Sequence, residues 1–255
     1  MIVRSAVRFS AVLIALGFTT ACPPPAKPPP PKPVERAPSF TFDLAEPKSD
    51  APANVTVALI RPTWKLAVAD DQKVLDLEGL SKKFSKALGT GFEDMLTHRG
   101  FSIGGPFDSL DDMTFPDKKG SDLALVFEIS IDLKMPKFTR KDEVTTGFGG
   151  GQVEAHYFMT GAAVASGFIS FRVLEPLSGQ KVWVKKVDLA ELAVNCGDNS
   201  AYSMEPLQTI AKNCATAVLE QAYPTIMKKA ATYFTRDEMD AVKKQSQELR
   251  DKKTY

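Results

Sequence analysis

Apolar positions along the chain fall into two periods, and these lay out the elements. Residues 123–133 (LALVFEISIDL) put Phe127, Ile129, Ile131 and Leu133 on one side of an extended chain and Glu128, Ser130 and Asp132 on the other. Side chains alternate across a strand, so this period of two predicts a half-buried β-strand. Residues 55–60 (VTVALI) are a shorter β-branched run that stops at Arg61-Pro62, a second strand. Leu77, Leu80, Phe84, Leu88, Phe92 and Met95 recur every three or four positions, the spacing of one helical face, with Gly100 as the C-terminal stop. Gly79, Gly89 and Gly91 weaken that helix. Residues 101–103 (FSI) read as a strand and complete a strand–helix–strand unit.

Further along, residues 168–174 (FISFRVL) and 181–189 (KVWVKKVDL) flank Glu175-Pro-Leu-Ser-Gly-Gln180, turn chemistry between two β-rich runs, and predict a hairpin. Residues 134–151 are basic and then glycine-rich, and read as an exposed, mobile loop. Residues 155–173 are apolar, but His156, Gly161, Ser166, Gly167 and Arg172 interrupt them, which points to two buried strands rather than a membrane span. Leu207, Ile210, Cys214, Ala217, Tyr223, Met227 and Ala230 follow helical spacing, and Pro224 is expected to kink or divide that helix. Thr235-Arg-Asp-Glu238 is a capping-box pattern opening a last, basic helix to about Lys252. Its apolar stripe (Met239, Val242, Leu249) is thin, so the helix reads as solvated or as a partner surface. The fold class expected is α+β: a mostly antiparallel sheet, an N-terminal strand–helix–strand unit and long C-terminal helices.

The N-terminal segments have a different character. Arg4 and Arg8 precede the apolar core AVLIALGF of residues 11–18, too short to span a bilayer, and Thr19-Thr20-Ala21-Cys22 follows. Residues 1–21 read as a lipoprotein signal peptide and Cys22 as the lipidated first residue of the mature chain; ordinary secretory cleavage after Ala21 is the other reading. Residues 22–38 (CPPPAKPPPPKPVERAP) hold nine prolines. Proline lacks a backbone donor and fixes φ, so this stretch reads as solvated polyproline II, a spacer reaching about 50 Å. The domain organisation expected is a leader over 1–21, a tether over 22–53, a globular domain over 54–234 and a C-terminal basic helix over 235–255. Pro23, where inner-membrane lipoproteins commonly carry Asp, favours the outer membrane.

Charge and chemistry narrow the function. Lys and Arg number 32 against 31 Asp and Glu, and loss of Arg4 and Arg8 with the leader takes the formal charge from +1 to −1. That balance, with no clustered basic face, does not suggest nucleic acid. No nucleophile elbow, zinc helix or phosphate-cradling loop occurs, so no enzyme, cofactor or metal is expected. His98 and His156 stand apart from any ligand spacing. Asp108, Asp111, Asp112 and Asp117 read as a solvated acidic loop, without the glycine turn a calcium loop needs. Cys196 and Cys214 remain after lipidation. An exported chain meets an oxidising compartment, which favours a disulfide; two unpaired thiols, with Cys214 packed in a helix face, are the alternative.

Several segments, in order, resemble one family. They are residues 57–62 (VALIRP), 118–125 (KKGSDLAL), 173–179 (VLEPLSG) with 187–192 (VDLAEL), 226–229 (IMKK) and 243–253 (KKQSQELRDKK). Together they resemble the HpaA-like, neuraminyllactose-binding haemagglutinin lipoproteins of gastric bacteria, over about 54–253. The resemblance implies an adhesive, outer-membrane or flagellar-sheath protein with a role in binding sialic acid. The basic motif proposed in that family corresponds here to Lys137, Thr139, Arg140 and Lys141, with Phe138 and Asp142 departing from it. Two functions stay open: a surface adhesin-like or sheath protein, or a periplasmic regulatory or structural lipoprotein docking on a cell-wall enzyme or flagellar component. Partners expected are the membrane, a protein or a sialylated glycan; homo-oligomerisation is left open.

Overall fold

The computed structural model describes residues 33–46, 48–64, 77–147, 150–197 and 204–252, with the backbone alone for 143–147, 150–155 and 204–205. The signal-peptide and Cys22 expectations lie outside the described residues, all of which belong to the unit Pro33–Tyr255. The elements are β1 (Thr56–Ile60), α1 (Glu78–His98), β2 (Ser102–Phe107), α2 (Phe115–Gly120), β3 (Leu123–Lys134), β4 (Lys137–Gly147), β5 (Gly150–Thr160), β6 (Ala162–Leu174), β7 (Lys181–Asn195), α3 (Met204–Ala231) and α4 (Arg236–Asp251). Five strands form one sheet in the order β2-β1-β3-β6-β7, and β4 and β5 form a separate two-stranded ribbon. β1 runs parallel to β2 and β3; β3, β6 and β7 are antiparallel neighbours. This is the expected mixed α/β architecture, with β1, α1 and β2 as its strand–helix–strand unit.

Alternation along the strands sets two cores. Val57, Leu59, Leu123, Leu125, Phe127, Ile131 and Leu133 enter the main core with Phe84, Leu88, Phe92, Met95 and Leu96 of α1. Each such apolar side chain contributes about 2 kcal/mol relative to exposure. Ala58, Ile60 and Ala124 point the other way and meet Met113 under the connection after β2. The glycines of α1 allow close approach. A Cβ on Gly91 would come within 2.2 Å of the Tyr223 hydroxyl, and one on Gly89 within 3.1 Å of Pro62 Cδ. Tyr223 donates to Ala87 O at 3.1 Å, and burial, with Asp94 nearby, pushes its phenol up to about 12.

Four expectations need correction. First, most of the stretch expected as a loop is strand: 137–147 form β4 and Gly150 opens β5, and the two pair in continuous register from Lys137↔Thr160 to Gly147↔Gly150. Their alternation was hidden because exposed polar residues occupy β4 where a half-buried strand would carry apolar ones. Second, of the kink or division expected at Pro224, the division does not occur: α3 runs from Met204 to Ala231 across it. Ala222, Tyr223, Ile226 and Met227 are all buried around it, so packing on both sides holds one helix across the missing backbone bond. Third, α4 is docked rather than solvated: Met239, Val242 and Ser246 are buried, and the Ser246 hydroxyl donates to Asp122 O at 2.8 Å. Thr235 caps this helix by accepting from the Glu238 N–H, while the Glu238 carboxylate accepts the Trp183 indole N–H at 2.7 Å. Fourth, the acidic loop is partly ordered, because Thr114 and Asp117 form a reciprocal capping box that opens α2.

The described end of the expected tether is also engaged. Asn213 Nδ2 donates to Val34 O at 3.0 Å, and Arg36 pairs with Glu220 at 2.6 Å. Phe40, Phe42 and Leu44 then pack on the main core, with Phe40 5.3 Å from the Phe84 ring. Glu46 accepts three bonds from the buried Arg99 guanidinium, whose Nη1 also donates to Ala231 O and Phe234 O at 2.6 and 2.8 Å. Residues 33–46 are a strap over α1 and α3. The alternation Phe40, Phe42, Leu44 is its sequence signal, which the proline count beside it obscured.

Candidate functional site

The basic stretch singled out in the sequence lies on β4. Side chains alternate across a strand, so Lys137, Thr139 and Lys141 share one face and Phe138, Arg140 and Asp142 the other. Opposite residues of an antiparallel pair share a face, which adds Thr160, Phe158 and His156 of β5 to the first and Met159 and Tyr157 to the second. Phe138 and Tyr157 pack against the core and Met159 is 3% exposed, so the second face seats the base of the ribbon on the body.

The first face looks outward. Lys137, Thr139 and Lys141 are exposed, and the Lys141 ammonium stands 5.1 Å from the centroid of the half-buried Phe158 ring. Arg140 is not part of this group. It lies on the opposite face and donates to Asp142 at 2.7 Å, which raises its pKa above the usual arginine value through the hydrogen bond and the adjacent charge. Three of the four expected residues are therefore together and the fourth is separate. The two departures have structural reasons: Phe138 anchors the ribbon and Asp142 holds Arg140. Phe158 was missed, because its place beside Lys141 depends on register rather than on sequence spacing.

A cation, a hydroxyl and an aromatic face on one exposed surface can pair with a carboxylate while stacking an apolar ring face. The base of this surface is braced. Cys196, just after β7, is bonded to Cys214 of α3 with Cα atoms 6.0 Å apart, and the Cys196 N–H donates to Gly161 O in the turn after β5. Among the described residues no group of His, Cys, Asp and Glu could hold a metal ion, and no helix is long and apolar enough to cross a membrane.

The segment Glu175-Pro-Leu-Ser-Gly-Gln180, which overlaps the resembling stretch 173–179, has a structural role. Glu175 is fully buried at the β6–β7 turn, accepts from the Leu177 and Ser178 N–H groups at 3.1 and 2.7 Å, and pairs with Arg250 of α4 at 2.7 Å. Burial alone would raise its pKa, but the bonds from Ser178, Arg250 and the turn backbone outweigh it and hold the carboxyl at about 2. The residues here lock a turn to the last helix.

The family model of the neuraminyllactose-binding hemagglutinin precursor matches residues 39–253. The chain belongs to this hemagglutinin family. The neuraminyllactose-binding hemagglutinins of two Helicobacter pylori strains are each 25% identical to it over 211 residues, 77% of either chain. A crystal structure of a hemagglutinin homolog from Helicobacter pylori shares the fold, with a TM-score of 0.59 at 17% identity, covering 84% of this chain and 100% of that one. The match begins at Ser39, so the strap residues Phe40, Phe42 and Leu44 lie inside the hemagglutinin region.

Proposed function

We propose that this chain is an adhesin-like, non-catalytic binding protein of the outer membrane, lipidated at Cys22, whose β4–β5 ribbon engages a sialylated glycan. The observation that carries the reading is the outward face on which Lys137, Thr139 and Lys141 stand beside Phe158. A sialic acid offers a carboxylate for the two ammonium groups, and its ring offers a face for the phenyl group. The names of the Helicobacter pylori relatives favour the same ligand class. Arg140 is assigned to holding Asp142 rather than to the sugar.

The test is binding to immobilised sialyllactose against immobilised lactose. The full mature chain should retain on the first and not on the second, and Lys137→Ala/Lys141→Ala should lose that retention while Arg140→Ala keeps most of it. Equal retention on both sugars, or full retention by the double variant, would end the glycan reading. The anchor is tested separately: mass spectrometry of the exported protein should show acyl chains at Cys22, and Cys22→Ala should leave the membrane fraction. Protease shaving of intact cells separates a surface domain, which is cleaved, from a periplasmic one, which is protected.

A further inference from the structure

A concave site lies where β1 ends beside α1. The cavity has a volume of about 550 Å³. That is within the range of about 300–1,000 Å³ typical of small-molecule sites. Its position, outside the carboxyl end of a strand that runs parallel to both neighbours, is where open α/β sheets commonly take ligands. Leu59, Pro62, Trp64 and Pro106 make its walls apolar, and Gly89 of α1 leaves the helix backbone open beside Pro62.

Charge at the walls is unevenly distributed. Arg61, Lys82 and Lys86 line the cavity with Glu93 as the acid among the lining residues. Arg61 is bonded to Asp108, and Lys82 is paired with Glu78 at 2.6 Å. Among the described residues Lys86 is exposed and has no ionic partner. A second observation points the same way. Ser85 is only 7% exposed, forms part of the wall, and its hydroxyl has no hydrogen-bond partner. One turn earlier, Ser81 donates to Glu78 O at 2.9 Å, so a serine in this helix can satisfy itself on the backbone and Ser85 does not. Leaving a buried hydroxyl without a partner is unfavourable, and a ligand oxygen would relieve that cost.

We infer that this cavity binds a small anionic amphiphile: a carboxylate on an aliphatic or aromatic body. The body lies against Trp64, Pro62 and Pro106, the carboxylate faces Lys86, and the Ser85 hydroxyl donates to it. A neutral ligand would leave the Lys86 charge without a counter-ion, and a cationic one would be repelled by it. The site is independent of the ribbon and of its sugar.

The probe is decanoate, titrated into the full mature chain below its micelle concentration and followed by calorimetry and by tryptophan fluorescence. Decanol is the neutral control. Binding should occur at one site, change the fluorescence of the wild type but not of Trp64→Phe, and be at least tenfold tighter than for decanol. Lys86→Glu should weaken it at least tenfold, and Thr90→Phe, which fills the mouth from an exposed helix position, should abolish it. Urea midpoints of all variants are compared, so that loss of binding is separated from loss of folding. Absence of binding by the wild type overturns the inference. So does unchanged binding in folded Thr90→Phe, which would place the anion on surface lysines alone. Retained sialyllactose binding in Thr90→Phe would show that failure here is not failure of the ribbon.

Discussion

The β6–β7 corner and the β4–β5 ribbon both present charged side chains on antiparallel strands, and they use them in opposite ways. At the corner, Glu175 is fully buried and held by Arg250 and the turn N–H groups. On the ribbon, Lys137 and Lys141 stay exposed, and the ribbon is seated by apolar residues of its other face. Taking an ion out of water is costly, so a buried carboxylate persists only where several donors converge on it. The corner supplies those donors from a turn and a distant helix. The ribbon, two strands with one side in solvent, has no second layer to do so. Charges that no internal partner claims remain open to an external one.

The comparison breaks most clearly at Glu175. Glu175→Ala leaves Arg250 Nε and two turn N–H groups without their acceptor, and should cost about 3–5 kcal/mol in urea unfolding. Its pH dependence follows from the depressed pKa. The folded value of about 2 lies below the ordinary 4.5, so the ionised carboxylate stabilises above about pH 4.5 and that contribution is lost as pH falls toward 2. Glu175→Gln should lack this acid-sensitive component; a wild type whose stability is flat from pH 4.5 to 2 would sink the account.

The junction between the two regions comes next. Cys196→Ser/Cys214→Ser opens a crosslink of sequence separation 18 and should lower stability by about 3 kcal/mol, with non-reducing peptide mapping showing the crosslinked pair in the wild type. Phe40→Ala removes a half-buried ring from the strap and should cost about 2 kcal/mol, measured by thermal unfolding. The smallest effect is expected on the ribbon. Lys137→Ala/Lys141→Ala should leave the unfolding midpoint where it is while removing sialyllactose retention, and a large fall in midpoint would mean that these lysines serve the fold.

Much of the body was legible because burial leaves a local trace. The Leu77-to-Met95 spacing marked α1, the alternation over 123–133 marked β3, and the turn residues at 175–180 marked the β6–β7 hairpin. The candidate site was legible as residue types but not as an arrangement. Lys137, Thr139, Arg140 and Lys141 read as one cluster in sequence, yet the pleat puts Arg140 on the reverse face and register brings Phe158 in from β5. Over 137–142 β4 carries Phe138 as its one apolar residue, too little for an apolar period, so this strand reads as a loop while the apolar end of β5 reads as strand.

By itself the sequence determined the elements with a strong apolar period, the α+β class and the family resemblance, since each depends on neighbours a few residues apart. Only the tertiary structure decided that β1 sits between β2 and β3, that Arg99 joins the strap to the end of α3, and that Glu175 meets Arg250. The Arg99 and Glu175 contacts link residues from 53 to 132 positions apart. A hydrogen bond or ion pair over such a separation imposes no period on the chain, and forms only once the hydrophobic layers have brought its partners together.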